Sequence, residues 1–331
     1  MSQTSRSHVL VFRELPPDQL ARLQAVHDVT VANPRVAGQE AAFMAALPQA
    51  QGLIGSSYAI TPALLAAAPQ LRVISSISVG VDNYPLEALA QRGITLCHTP
   101  GVLTETTADT IFALLMATSR RIVELSNHVR EGRWDRNIGE SLFGNDVHGK
   151  TIGIMGMGRI GQALARRAAL GFDMQVIYDN PFTVPDAQLG ALAGKVRHVS
   201  RAEVLAQSDF VVSVLPLTEE TRNCMNAQAF ASMKPGAIFI NGSRGGIVDE
   251  AALVAALDKG QLHAAGLDVF QKEPLPLDSA LRTHPKVVPL PHIGSATHET
   301  RYAMARLATE NLLHVLAGQP EQACVFTGIA A

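Results

Sequence analysis

Three glycines, Gly156, Gly158 and Gly161, follow the apolar run 151–155 and open a helical pattern that reaches 169. A second apolar run, 174–178, then ends at Asp179. Strand, glycine turn, helix, strand and acid in this order form a dinucleotide-binding fingerprint. Gly156 lets the backbone turn sharply out of the strand. Gly158 carries no Cβ to hold a pyrophosphate away, and Gly161 lets the helix pack closely on the sheet. Amides at the helix N-terminus hold phosphates, and Asp179 is placed to accept hydrogen bonds from the adenosine ribose hydroxyls. A glycine turn alone can serve ordinary helix packing; the flanking strands and the acid favour the cofactor.

Three polar residues further on complete a chemistry. Arg244 lies in 241–249 (NGSRGGIVD), straight after an apolar run, and so at a carboxyl edge of a sheet, where ligands of open α/β sheets bind. Its guanidinium is permanently charged and can grip a carboxylate through two parallel hydrogen bonds. Asp268 and Glu273 follow another apolar run in 266–274 (GLDVFQKEP). His292 stands between a strand and a glycine turn in 289–297 (PLPHIGSAT). Taken singly, Arg244 reads as a ligand more readily than as a surface arginine in a glycine loop, whereas a lone histidine is usually structural. Beside a dinucleotide, the set suits reduction of a 2-keto acid. Hydride transfer leaves an alkoxide that a histidine titrating near neutrality can protonate. A glutamate beside the ring favours imidazolium and fixes its orientation.

Such residues need strands that end together. In the first hundred residues, β-like runs at 9–12, 52–55, 71–75 and 94–97 alternate with helical stretches at 17–25, 41–46, 62–67 and 86–92. This alternation predicts a parallel sheet with helices on both faces and no glycine fingerprint. Pro100 and Gly101 break the pattern as a hinge. Residues 104–130 predict one long bridging helix. The irregular arm 131–150 holds the only tryptophan, Trp134, and reads as a subunit contact rather than a plain loop. Alternation resumes over 151–291, with strands at 210–215, 237–241, 264–269 and 287–290 and helices at 201–207, 227–233 and 250–259. A last helix, 295–317, returns to the first unit. The expected domains are 1–101 plus 293–331, a discontinuous substrate domain, and 102–292, the dinucleotide-binding domain.

A chain of 331 residues accommodates two domains. With 47% hydrophobic and 17% charged residues it has ample core, and a net charge of −2 gives no pull toward nucleic acid or anionic membrane. Apolar runs stay short of the roughly 20 residues that span a bilayer. The polar N-terminus, with 1–7 expected to fray, lacks a signal-peptide core. Cys97, Cys224 and Cys324 are far apart and form no metal or redox motif. The expectation is a cytoplasmic protein without a metal.

The sequence resembles the D-isomer-specific 2-hydroxyacid dehydrogenases over nearly its whole length. The resemblance runs through 76–83 (SISVGVDN), 98–110 (HTPGVLTETTADT), 156–161 (GMGRIG), 215–223 (LPLTEETRN), 240–250 (INGSRGGIVDE), 264–274 (AAGLDVFQKEP) and 291–301 (PHIGSATHETR). It looks closest to the bacterial branch that reduces glyoxylate, hydroxypyruvate and 2-keto-D-gluconate. The resemblance implies two Rossmann-like, doubly wound α/β domains, a flavodoxin-like substrate domain and an NAD-binding domain, closing on an active-site cleft. By it, Arg244 anchors the substrate carboxylate, Glu273 supports the histidine and His292 donates the proton. Backbone amides at Val79 and Gly80 complete the carboxylate site. Cofactor contacts fall on Thr104, Gly156, Gly158, Arg159, Ile160, Gly161, Asp179, Leu215, Pro216, Thr221, Gly242, Ser243, Arg244, Asp268, His292 and Gly294. Ser78, Leu103, Ser295 and Arg301 are candidates to line the substrate pocket. The family is usually homodimeric, with the segment matching 131–150 at the contact.

Several members of this branch use NADPH, with a neutral residue and then arginines where this chain has Asp179, Asn180, Pro181 and Phe182. An aspartate there would face the 2′-phosphate with like charge. NAD(H) is therefore the preferred cofactor, and NADP(H) stays open because Arg197 and Arg201 begin the next βα segment. The alternative is an NAD(H)-sensing, corepressor-like interaction protein on the same fold, binding cofactor without turnover; the lack of long disordered tails counts against it.

Overall fold

The computed structural model describes residues 6–328; of the fraying expected over 1–7, the part at 1–5 lies outside them. Contacts divide the chain into two units, Met1–Leu103 with Ala296–Ala331, and Thr104–Ser295. These divisions fall after Leu103 and Ser295, where the sequence reading drew them after Gly101 and His292.

The first unit is built on β1 (His8–Val11), β2 (Asp28–Val31), β3 (Gly52–Gly55), β4 (Val73–Ser76) and β5 (Thr95–Cys97). All pair in parallel, in the order β2-β1-β3-β4-β5. This is the flavodoxin-like doubly wound order. β3 and β4 are buried at every position, as expected of central parallel strands. The helix His298–Leu316 belongs to this unit and packs on its sheet. Ser75 Oγ donates to the Ala308 carbonyl at 2.7 Å, and Asn311 donates to the His98 carbonyl at 3.0 Å. Cys97 is buried, and that burial, with Cys324 beside it, pushes its thiol up to about 12, so it is an inert core group.

The second unit carries seven parallel strands: β6 (Thr151–Met155), β7 (Gln175–Asp179), β8 (Val196–His198), β9 (Phe210–Ser213), β10 (Ala237–Asn241), β11 (Leu262–Leu267) and β12 (Val287–Pro289). Their order, β12-β11-β10-β9-β6-β7-β8, is the Rossmann order with one strand added at the far edge. Successive side chains point to opposite faces, so Ile238 and Ile240 join one core cluster and Ala237 and Phe239 the other. The order in which strands are added reverses between β6 and β9, the switch point at which such sheets bind ligands.

The structure corrects the long bridging helix. Residues 104–130 form two helices, Thr104–Ser119 and Ile122–Arg130, broken at Arg121 with φ 55°. The break has a tertiary cause. The Asn145 amide donates to the Ser119 carbonyl at 2.9 Å, and Ser119 Oγ donates to the Asn145 carbonyl at 2.9 Å, ending the first helix. Arg121 then pairs with Glu124 at 2.7 Å at the start of the second. Among the described residues no helix is long and apolar enough to cross a membrane.

Candidate active site

The glycine turn follows β6 directly. Gly156 takes φ 100°, a conformation that favours glycine, and its amide donates to the Asp179 carbonyl at 2.9 Å, tying the turn to the end of β7. A Cβ on Gly156 would meet the Val214 carbonyl at 3.1 Å, and one on Gly161 would strike the Gly156 carbonyl. A Cβ on Gly158 would meet nothing within 4 Å, so open space faces the N-terminus of the helix Arg159–Arg166. Arg159 and Ile160 open that helix. The amides and the space fit a pyrophosphate.

Around the turn lie the ends of the neighbouring strands. After β9, Leu215 is buried and Pro216 exposed, and Thr221 Oγ1 donates to the Pro216 carbonyl at 2.6 Å. At the end of β7, Asp179 accepts from Arg201 Nε at 2.7 Å. Asn180 Oδ1 accepts from the Met157 amide at 3.2 Å, which pins the turn from the other side.

After β10, Asn241 organises the next loop. Its Oδ1 accepts from Ser243 Oγ at 2.7 Å and from the Ser243 amide at 3.1 Å, and its Nδ2 donates to the Arg244 carbonyl at 3.0 Å. A Cβ on Gly242 would collide with Ile111, and one on Gly245 with the backbone of Phe270. Only glycine lets Arg244 approach the β11 loop this closely. That loop carries Glu273, whose carboxyl group feels the Arg244 charge.

Glu273 joins the loops. Its Oε1 accepts from the Phe270 amide at 3.0 Å, and its Oε2 meets His292 Nδ1 at 2.8 Å. Burial pushes the Glu273 carboxyl up. The hydrogen bonds from His292 and Phe270, with the charges of His292 and Arg244, outweigh it, so its pKa lies below the ordinary value. The structure thus brings Arg244, Glu273 and His292 together from three separate strand ends.

His292 itself sits at φ 54°, a left-handed conformation that only a surrounding structure sustains at a non-glycine residue. The sustaining group is Asp268, 3% exposed, whose Oδ1 accepts from the Ile293 amide at 2.7 Å and Oδ2 from the Gly294 amide at 2.9 Å. Burial pushes the Asp268 carboxyl up, more than these amides and His292 bring it down. Sequence reasoning places Asp268 among the cofactor contacts; in the structure both its oxygens accept from amides of the histidine loop. Gly294 is packed against Thr107 in the helix that Thr104 begins, where a Cβ would lie 3.2 Å from the threonine methyl.

Two contacts escaped the sequence reading. Asn241 reads as the end of an apolar strand, and its signal was a single amide where the run needed none. Arg201 is, with Arg197, a candidate from the sequence to swing in toward the cofactor; its partner, Asp179, emerges from the pairing of β7 with β8.

In the first unit, the Gly80 amide donates to Ser78 Oγ at 3.2 Å, and the Val79 carbonyl meets His98 Nδ1 at 3.1 Å. Arg301 lines a cleft of about 710 Å³ with Arg13 and Ile77. Burial, and then the charges of Arg301 and Arg35, lower the Arg13 pKa. Leu103 is 6% exposed in this unit, and Ser295 ends the other.

A Rossmann-ordered sheet with a glycine turn at its switch point, and an arginine, a glutamate and a histidine at neighbouring strand ends, defines a dinucleotide-dependent oxidoreductase. The family description "D-isomer specific 2-hydroxyacid dehydrogenase, NAD binding domain" matches residues 112–294. The chain is 50% identical over 325 residues to the glyoxylate/hydroxypyruvate reductase B of Shigella boydii serotype 4, covering 97% of this chain and 98% of the relative. Among solved structures, the TT0316 protein of Thermus thermophilus is 42% identical with a TM-score of 0.86, covering 97% of this chain and all, 100%, of that one. The NADPH-dependent glyoxylate/hydroxypyruvate reductase of Sinorhizobium meliloti, solved with NADP and malonate, is 31% identical with a TM-score of 0.82, covering 98% and 100%. The chain belongs to the D-isomer-specific 2-hydroxyacid dehydrogenase family. It is an NAD(P)-dependent enzyme that interconverts 2-keto and 2-hydroxy acids.

Proposed function

We propose that this enzyme reduces small 2-keto acids, with glyoxylate, hydroxypyruvate and 2-keto-D-gluconate as candidates, to their D-2-hydroxy acids. The observation that carries the site assignment is the 2.8 Å contact between Glu273 and His292 with the Arg244 charge beside it. Arg244 holds the substrate carboxylate. Because Nδ1 of His292 is taken by Glu273, Nε2 is the atom that delivers a proton to the oxygen on C2. The bound nicotinamide supplies the hydride. The glycine turn, with Arg159 and Ile160, holds the pyrophosphate, Asp179 the ribose, and Thr104, Leu215, Pro216, Thr221, Gly242, Ser243 and Gly294 surround the rest.

Val79 and Gly80, in the first unit, keep a proposed substrate-binding role. The Gly80 amide must leave Ser78 Oγ to serve it. Arg13 and Arg301 suit that unit's cleft to hydroxylated rather than alkyl substituents. NADH is the preferred cofactor, on the strength of Asp179. We place the enzyme in the cytoplasm as a homodimer. The exposed apolar side chains of the second unit support the dimer, with Val129 at 52%, Trp134 at 62% and Phe143 at 54% exposure.

Steady-state kinetics on glyoxylate and hydroxypyruvate test the mechanism. His292→Ala lowers kcat by about 10²–10⁴-fold, the usual worth of a positioned proton donor. Near-normal turnover by that variant would remove His292 from the role. Arg244→Lys, which cannot form the two-pronged contact, raises KM as well.

A further inference from the structure

We propose that Arg201 is the cofactor-specificity switch of this enzyme, masking Asp179 and admitting the 2′-phosphate of NADPH beside NADH. An aspartate at the end of the second strand of a Rossmann sheet marks NAD, because its carboxylate takes the ribose hydroxyls and repels a phosphate. Here that carboxylate does not face the ribose site as a bare charge. Arg201 Nε donates to Asp179 Oδ2 at 2.7 Å, so the acid already carries a cationic partner.

The placement of Arg201 is not explained by its own helix. Arg201 is the first residue of Arg201–Gln207, where the helix dipole disfavours a cation. The start of that helix is secured without it. Ser200 Oγ accepts from the Glu203 amide at 3.2 Å, and the Glu203 carboxylate accepts from the Ser200 amide at 3.0 Å. Arg201 is therefore held by Asp179 rather than by a capping duty.

The residues that follow Asp179 do not compete for the phosphate. Asn180 is spanned between the Met157 amide, at 3.2 Å, and the Phe182 carbonyl, at 3.0 Å, and His198 Nε2 meets the Asn180 carbonyl at 2.9 Å. Arg197 is engaged by Gln207 at 3.0 Å and Glu203 at 3.8 Å on its own exposed face. Arg201 is the guanidinium already at the ribose acid.

The strength of the pair sets its behaviour. The Arg201 side chain is 40% exposed and that of Asp179 17%, so the contact is a half-solvated ion pair. Pairs of this kind are weak, and turning the guanidinium from the carboxylate toward a phosphate costs less than about tenfold in binding. A phosphate carries more charge than a carboxylate and can take a two-pronged contact from a guanidinium where Asp179 takes one hydrogen bond, which offsets that cost. With NADH the guanidinium stays on Asp179; with NADPH it turns to the phosphate and screens it from the acid.

Fluorescence titration of NADH and NADPH into the intact enzyme, without substrate, tests this directly. In the wild type the two dissociation constants lie within about tenfold of each other. Arg201→Gln weakens NADPH by about tenfold or more and changes NADH by less than about threefold. Asp179→Asn does the opposite, tightening NADPH and weakening NADH. Thermal melts of Arg201→Gln stay close to wild type because Ser200 and Glu203 still cap the helix. Arg201→Lys, retaining charge without the fork, gives an intermediate NADPH affinity and rescues the fold should the glutamine variant fail. Equal weakening of both cofactors by Arg201→Gln would make Arg201 a structural support of the ribose site and overturn the proposal. So would exclusion of NADPH by the wild type while NADH binds, an outcome that leaves the dinucleotide site itself intact.

Discussion

Asp268 does for this site what its neighbours receive credit for. A histidine in a left-handed conformation is strained, and the strain persists only because a buried carboxylate holds the next two amides. Asp268→Asn replaces one acceptor oxygen with a donor that faces an amide donor. The expected loss is about 1–3 kcal/mol of stability, the cost of leaving buried polar groups unpaired, together with a lower kcat as the histidine loop loosens. Denaturant unfolding and steady-state kinetics on one preparation measure both. Glu273 predicts a pH signature. Its folded-state pKa is lowered, so the stability it contributes is present above the ordinary glutamate range and is lost as pH falls through the lowered value. The stability gap between wild type and Glu273→Gln is therefore constant near neutrality and closes in acid, as read from unfolding midpoints across a pH series. A gap that widened toward acid would contradict the lowered pKa.

The glycine turn and the strands around it were legible because each is a local pattern. A buried parallel strand is an apolar run, and a turn that must approach a carbonyl or leave space for phosphate needs glycine. Gly161→Ala tests the tightest of these positions, since a methyl there would strike the Gly156 carbonyl. The variant should weaken NADH binding by about tenfold or more while keeping secondary structure, as seen by titration and circular dichroism. The edge strands β2 and β8 escaped the reading. Asp28–Val31 and Val196–His198 have no buried residue, so no apolar run announces them. The break at Arg121 escaped too, because the group that ends the helix, Asn145, lies far along the chain and reaches it only through folding.

The first unit encloses one hydrophobic cluster and the second two, and both leave some apolar side chains outside. None of the residues of Ile122–Arg130 is buried; Val129, Trp134 and Ile138 line one groove, and Ile122, Val123 and Phe143 are exposed as well. Apolar groups gathered on one surface mark an interaction site more often than a free one. If the proposed dimer uses them, Trp134→Ala combined with Ile138→Glu yields monomers in sedimentation velocity, with far-UV circular dichroism unchanged. A wild-type chain that sediments as a monomer would remove the proposal.

What the sequence determined by itself was whatever short-range spacing encodes: two alternating α/β patterns, a glycine turn between strand and helix, and polar residues stationed just after apolar runs. Parallel strands end on one edge, so residues far apart in sequence but each at a strand's carboxyl end were bound to be neighbours. Tertiary structure alone decided which neighbour each would meet. It turned Asp268 inward to hold the histidine loop and set Arg201 on Asp179. Those pairings depend on the order in which the strands lie side by side. That order is settled by packing across the whole sheet, not by any stretch of chain read alone.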